Sequence, residues 1–237
     1  MIKVAILGAE STGKTELAAT LCEQFSAGGL RTVLVAETLR EWCDRQGRTP
    51  RAEEQLDIAR QQALRIDAAA ACDLLLADTT AMMVAVYSEL LFGDRSIHDF
   101  ALQRQRGFDL TLITGLDLPW VADGIQRDGP HVRAGVDALL RSTLQQGGIA
   151  FSTVYGRGAQ RAANAMRVID QASALRPGRG RPREPAAGAG GTGSNPDQGR
   201  AAPAGASPWR WSCDKCGDPD CELRLFTDLA QRGSLRG

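Results

Sequence analysis

Five short apolar runs, each bounded by turn residues, punctuate the first two thirds of the chain: Ile2–Leu7, Thr32–Ala36, Asp73–Ala77, Leu110–Thr114 and Ile149–Val154. They are too short, and too rich in β-branched and aliphatic residues, to stand as isolated helices, so each predicts a strand. Between them the apolar period lengthens. Glu16 to Phe25 reads as a helix directly after the first run. Leu56, Ala59, Ala63, Ile66 and Ala70 recur at spacings of three and four, which is one face of another. Leu139, Leu140 and Leu144 mark a third, ended by Gly147-Gly148. Strand and helix alternating in this way predict an α/β fold, with a mainly parallel sheet and helices on both faces. There is no internal repeat.

The pattern stops near Arg176. From Arg176 to Pro208 there are eight Gly, six Pro and seven Ala, but no Val, Ile, Leu, Met, Phe, Tyr or Trp. Such a stretch buries too little apolar surface to offset its ordering entropy. The expected organisation is a globular body over 1–173, a disordered linker rich in Gly, Pro and Ala over 174–208, and a small Cys-rich tail over 209–237.

Charge adds one exclusion. The chain has 28 basic and 28 acidic side chains, without the basic excess of proteins that hold nucleic acid by bulk electrostatics. The linker arginines read as a solvated spacer, with occasional nucleic-acid contact as the alternative. No run of about 18 apolar residues predicts a spanning helix. Met1 to Leu7 lacks the features of a secretory signal, so a cytoplasmic protein without membrane contact is expected. Oligomeric state is left open.

The sharpest chemical signal is Gly8-Ala9-Glu10-Ser11-Thr12-Gly13-Lys14-Thr15, which fits G-x-x-x-x-G-K-[ST] between a predicted strand and a predicted helix. In that context Gly8, Glu10, Ser11, Thr12, Gly13, Lys14 and Thr15 form a loop whose N–H groups face phosphate oxygens, helped by the helix dipole. Lys14 is placed for the β- and γ-phosphates of ATP, and the Thr15 hydroxyl for Mg²⁺. Asp78, at the carboxyl end of the third run, is the candidate metal or catalytic carboxylate; capping the helix near Thr80 is its alternative. Glu37, ending the second run, is a candidate for substrate or general-base duty, or else a helix-start residue. Val154 to Gly158, followed by Arg161, suits an adenine pocket or a plain glycine turn.

The loop Gly8–Thr15, Ala59-Arg60-Gln61, Ala77-Asp78-Thr79, and above all Leu118-Pro119-Trp120-Val121-Ala122-Asp123-Gly124 followed by Arg127 resemble the kinase domain of the NadR-type ribosylnicotinamide kinases, a P-loop kinase-like ATPase family. The resemblance spans residues 1 to about 172. It implies transfer of the ATP γ-phosphate to the 5′-hydroxyl of nicotinamide riboside, with Trp120 and Asp123 on the substrate side. It also implies that Arg127, with Arg133, lies in a lid-like segment over the transferring phosphate. A cationic pyridinium suits an indole face with acids nearby, and Trp120 with Asp117 and Asp123 has that composition; so has a core tryptophan beside turn acids. The only histidines, His98 and His131, fit no His-x-Gly-His motif, so adenylyl transfer is not expected; both read as surface or loop residues.

Cys213, Cys216 and Cys221 have C-x2-C-x4-C spacing, which suits zinc with a fourth ligand still to be supplied. A thiol sensor and no function are the alternatives. Cys22, Cys43 and Cys72 read as packing residues. The leading expectation is a small-molecule kinase with a nucleoside-like substrate. The rivals are a kinase for a different nucleoside and a regulatory P-loop ATPase whose zinc tail docks a partner.

Overall fold

A computed structural model describes residues 1–69, 71–121 and 132–174. Its sheet has five strands, β1 (Ile2–Leu7), β2 (Thr32–Val35), β3 (Leu74–Asp78), β4 (Leu110–Thr114) and β5 (Ser152–Val154), in the order β2-β3-β1-β4-β5. Every pairing is parallel. The connecting helices are α1 (Lys14–Ala27), α2 (Thr38–Gln46), α3 (Ala52–Ala68), α4 (Ala81–Phe92), α5 (His98–Gln105), α6 (Val132–Gln146) and α7 (Gly158–Ala174).

The central strand β1 shows why both faces are covered. Side chains alternate along a strand, so Val4 and Ile6 enter one core while Ala5 and Leu7 enter the other. The first core holds Leu17, Leu21 and Phe25 of α1 with Ala162, Ala165 and Ile169 of α7. The second holds Met82 and Val86 of α4, Ala101 of α5, and Val136, Leu140 and Leu144 of α6. Each fully buried Leu or Ile contributes roughly 1.5–3 kcal/mol of apolar transfer. Helix α4 is buried from Ala81 through Val86, as expected for an element apolar on every side.

Four strand ends differ from the expected ones: β2 stops at Val35 rather than Ala36, β3 starts at Leu74 rather than Asp73, and two more differ for identifiable reasons. Strand β5 begins at Ser152 rather than Ile149, because the Ile149 N–H donates to Leu144 O (2.9 Å) in closing α6. Strand β3 runs one residue further than expected, since Asp78 still pairs in register with Ile6. Among the cysteines, Cys43 and Cys72 are buried and Cys22 packs against the α1/α7 core. His98 is not a surface residue: it is buried at the start of α5, with Nε2 2.9 Å from Glu89 Oε2. His131 lies outside the described residues, as do Arg176–Pro208 and the tail cysteines Cys213, Cys216 and Cys221. No described helix is long and apolar enough to cross a membrane.

Candidate functional site

In a parallel sheet all carboxyl ends open on one edge, and here that edge gathers the loops after β1, β2, β3 and β4. The loop after β1 turns tightly into α1. Gly8 has φ 147°, and a Cβ there would lie 2.2 Å from Thr114 Oγ1, so only glycine lets the loop pass so close to β4. Ser11 (φ 51°) and Gly13 (φ 73°) are also left-handed, which bends successive peptide units into a concave nest. Thr12 is buried and its hydroxyl donates to Ala9 O (2.6 Å).

Two arginines grip this loop from outside. Arg161 of α7, 3% exposed, donates to Thr12 O, Gly115 O (3.2 Å) and the Asp117 carboxylate. Asp117 also accepts the Gly156 N–H (2.7 Å). Burial alone pushes the Asp117 carboxyl up, but the Gly156 N–H and the Arg161 charge outweigh it and hold it below the usual carboxylate range. Arg133 of α6, also buried, donates to Leu118 O (3.0 Å) and Ser11 O (3.5 Å). It therefore braces the loop rather than hanging free over it. The Ser11 hydroxyl in turn donates to Val121 O (2.6 Å), which ties the segment bearing Trp120 to the loop. The Trp120 indole N–H is buried without a hydrogen-bond partner among the described residues.

Lys14 opens α1 and folds back so that Nζ donates to Ala9 O (2.8 Å). Burial pushes its ammonium down from the usual lysine value, while the carboxylates of Glu37, Asp78 and Glu10 oppose that shift. Asp78 is 2% exposed, and its Oδ1 has no hydrogen-bond partner among the described residues. It does not cap α4; Thr80 does, accepting the Met82 N–H (3.1 Å). Glu37 occupies the N-cap position of α2 but makes no side-chain cap bond. Burial pushes its carboxyl up, against the pull of Lys14. Glu10 Oε2 accepts the Tyr87 hydroxyl of α4 (2.6 Å), and its Oε1 is buried and unpartnered among the described residues.

Sequence reasoning missed Gln62, which is 1% exposed and spends its whole amide on the backbone beside the two strand-end acids. Its Oε1 accepts the Thr38 N–H (2.7 Å), and its Nε2 donates to Ala36 O (3.3 Å) and Thr79 O (3.5 Å). Thr79, with φ 68°, holds a strained backbone for a β-branched residue next to Asp78. A glutamine inside the apolar stripe of Ala59, Ala63 and Ile66 was the signal that would have found it. Tyr87, following the apolar run 81–86 of α4, left a similar one.

The expected residues thus fall into two groups. Gly8, Glu10, Ser11, Thr12, Gly13, Lys14, Thr15, Glu37 and Asp78 converge on one edge, with Trp120 tied in through Val121. Asp123 and Arg127 lie outside the described residues. Among the described residues no group of three or more His, Cys, Asp or Glu is placed to hold a metal ion. Asp78 Oδ1, a buried carboxylate oxygen without a partner among the described residues, nonetheless fits a divalent cation.

A phosphate nest between a parallel strand and a helix, a lysine at its mouth and an acid on the adjoining strand define a P-loop nucleotide-binding protein. Residues 3–161 match the AAA domain family, and the chain belongs to it. No curated protein matches the sequence. Among solved structures, the chain resembles the NadR protein in complex with NAD and AMP-PNP at 16% identity and TM-score 0.58, over 75% of this chain and 51% of that one. It is similar to the NadR protein in complex with NR at 16% identity and TM-score 0.60, over 75% and 52%. It is also similar to thymidylate kinase from Ehrlichia chaffeensis at 13% identity and TM-score 0.51, over 72% and 97%. These likenesses are of fold, and the chain spans about half the length of the NadR structures.

Proposed function

We propose that the protein is an ATP-dependent kinase that transfers the γ-phosphoryl group to the 5′-hydroxyl of a small nucleoside, with nicotinamide riboside the leading acceptor. One observation carries this reading: Lys14 sits at the mouth of the phosphate nest with Glu37, Asp78 and Glu10 close enough to act on its charge. Lys14 stabilises the phosphates, and Thr15 and Asp78 would hold Mg²⁺, which when bound neutralises charge on the transferring group. Acids outnumbering the lysine suit a cationic acceptor such as a pyridinium nucleoside, and the Trp120 indole, on the segment that Ser11 ties to the loop, would offer its face to the ring. Glu37 and Trp120 are assigned to acceptor binding on that basis, and Asp123 and Arg127 are carried from the family resemblance as substrate and lid residues. A different nucleoside is the second reading, supported by the likeness to deoxyadenosine kinase from M. mycoides (11% identity, TM-score 0.51).

The test is ADP release from ATP and Mg²⁺ with and without nicotinamide riboside, then with other nucleosides. Riboside-dependent release is expected. Release indifferent to every acceptor would establish instead a regulatory ATPase. Lys14→Ala should abolish turnover, by 10²-fold or more on the scale of lost preorganised charge, while leaving the melting temperature near that of the wild type. Retained turnover in that variant would exclude this site. We further propose that the protein works in the cytoplasm, that residues 174–208 are a linker, and that Cys213, Cys216 and Cys221 of a 209–237 tail bind zinc.

A further inference from the structure

Peptide bonds are trans, so the carbonyl of one residue and the N–H of the next point to opposite sides of the chain. The carbonyl of Thr12 is held outward by Arg161 and that of Ser11 by Arg133. The N–H groups of Gly13 and Thr12 are thereby turned the other way, into the concave side of the loop. Arg161 also fits flush against the loop: a Cβ at Gly13 would stand 3.5 Å from its Nη1. Its Nη2 donates to Gly115 O and Asp117, both on the β4 side, while its Nε is buried without a partner among the described residues.

We infer that Arg161, oriented by Asp117 and seconded by Arg133, is a positioning residue that presets the phosphate loop for an anion before any ligand arrives. The inference rests on reading residues 8–15 as the triphosphate site. Without the clip the Thr12 carbonyl loses its charged donor, the side-chain bonds of Thr12 alone hold the peptide, and part of the binding free energy goes into ordering it. Position is essential here, because a single guanidinium serves three acceptors in a plane, whereas a lysine ammonium is a point charge on a flexible stem. Arg161 acts on the loop through the Thr12 carbonyl, which its Nη1 holds.

The experiment is calorimetric titration of the full-length protein with inorganic triphosphate and with ATP, each with Mg²⁺, alongside thermal melting. Arg161→Gln and Asp117→Asn should each weaken both ligands by roughly tenfold or more at a temperature where all variants remain folded, as expected for loss of a charge-assisted hydrogen bond. Arg161→Lys should not restore affinity. If the wild type binds neither ligand, the triphosphate reading itself falls. If the wild type binds and the variants bind equally well, the clip is refuted with that reading intact. Restoration by Arg161→Lys would show that bulk charge suffices and would also overturn it. Should Arg161→Gln fail to fold, Asp117→Asn decides, because it keeps the guanidinium and removes only its charged partner.

Discussion

Glu37 stands where a helix cap would be, yet its carboxylate faces Lys14 and Arg40, the latter with Nε 3.6 Å away. Burial keeps its carboxyl above the ordinary value of 4.5, so the native state holds the proton more tightly than the unfolded chain does. That sign fixes the pH window. Its stabilising contribution is complete below pH 4.5 and is lost as pH rises through the elevated native value. Glu37→Gln should therefore gain stability relative to the wild type as pH rises from about 4 to about 8, read by denaturant unfolding across that range. Parallel curves would contradict the burial account. At this scale the sequence placed Lys14 and Asp78 on the carboxyl edge of the sheet, because local spacing and strand position fix where they stand. It did not disclose Gln62, the pairing of Asp117 with Arg161 or the grip of Arg161 on the loop, which depend on contacts 17 to 149 residues away along the chain.

Helix α3 starts on a pH-sensitive anchor of the opposite sign. The Glu54 carboxylate accepts the Arg51 N–H (2.8 Å) and both arms of the Arg48 guanidinium (2.8 and 2.7 Å), which lowers its pKa to about 2. Arg48 in turn stacks over Trp42 of α2, 4.9 Å from the ring centroid. The stability supplied by this anchor is present above pH 4.5 and fades as pH falls toward 2. Glu54→Gln should flatten that acid limb of the unfolding profile; an unchanged limb would show the cluster to be energetically idle, as many exposed ion pairs are. Elements were legible where periodicity was strong, as in β1, β4 and the leucines of α6. Their ends were less so. The Ile149 N–H and the Ala36 carbonyl are taken by a helix end and by Gln62, and neither claim shows in a hydropathy pattern.

For the whole molecule, α7 sets the shortest body worth making. Ala162, Ala165 and Ile169 complete one of the two cores, so a chain ending after Ala174 should melt like the full protein and keep its turnover within about twofold. If the tail binds zinc as proposed, elemental analysis should find the metal in the full-length protein and not in that truncation. Zinc retained at full stoichiometry would refute a metal-binding tail. The strand order carries a further consequence. Glu37 and Asp78 leave the sheet on one flank of β1, whereas Asp117, Gly156 and Arg161 approach the loop from the other flank. A graft of the segment after β2 therefore leaves in place the bonds by which Arg161 and Asp117 hold the loop, so one flank can be rebuilt while the other keeps its grip.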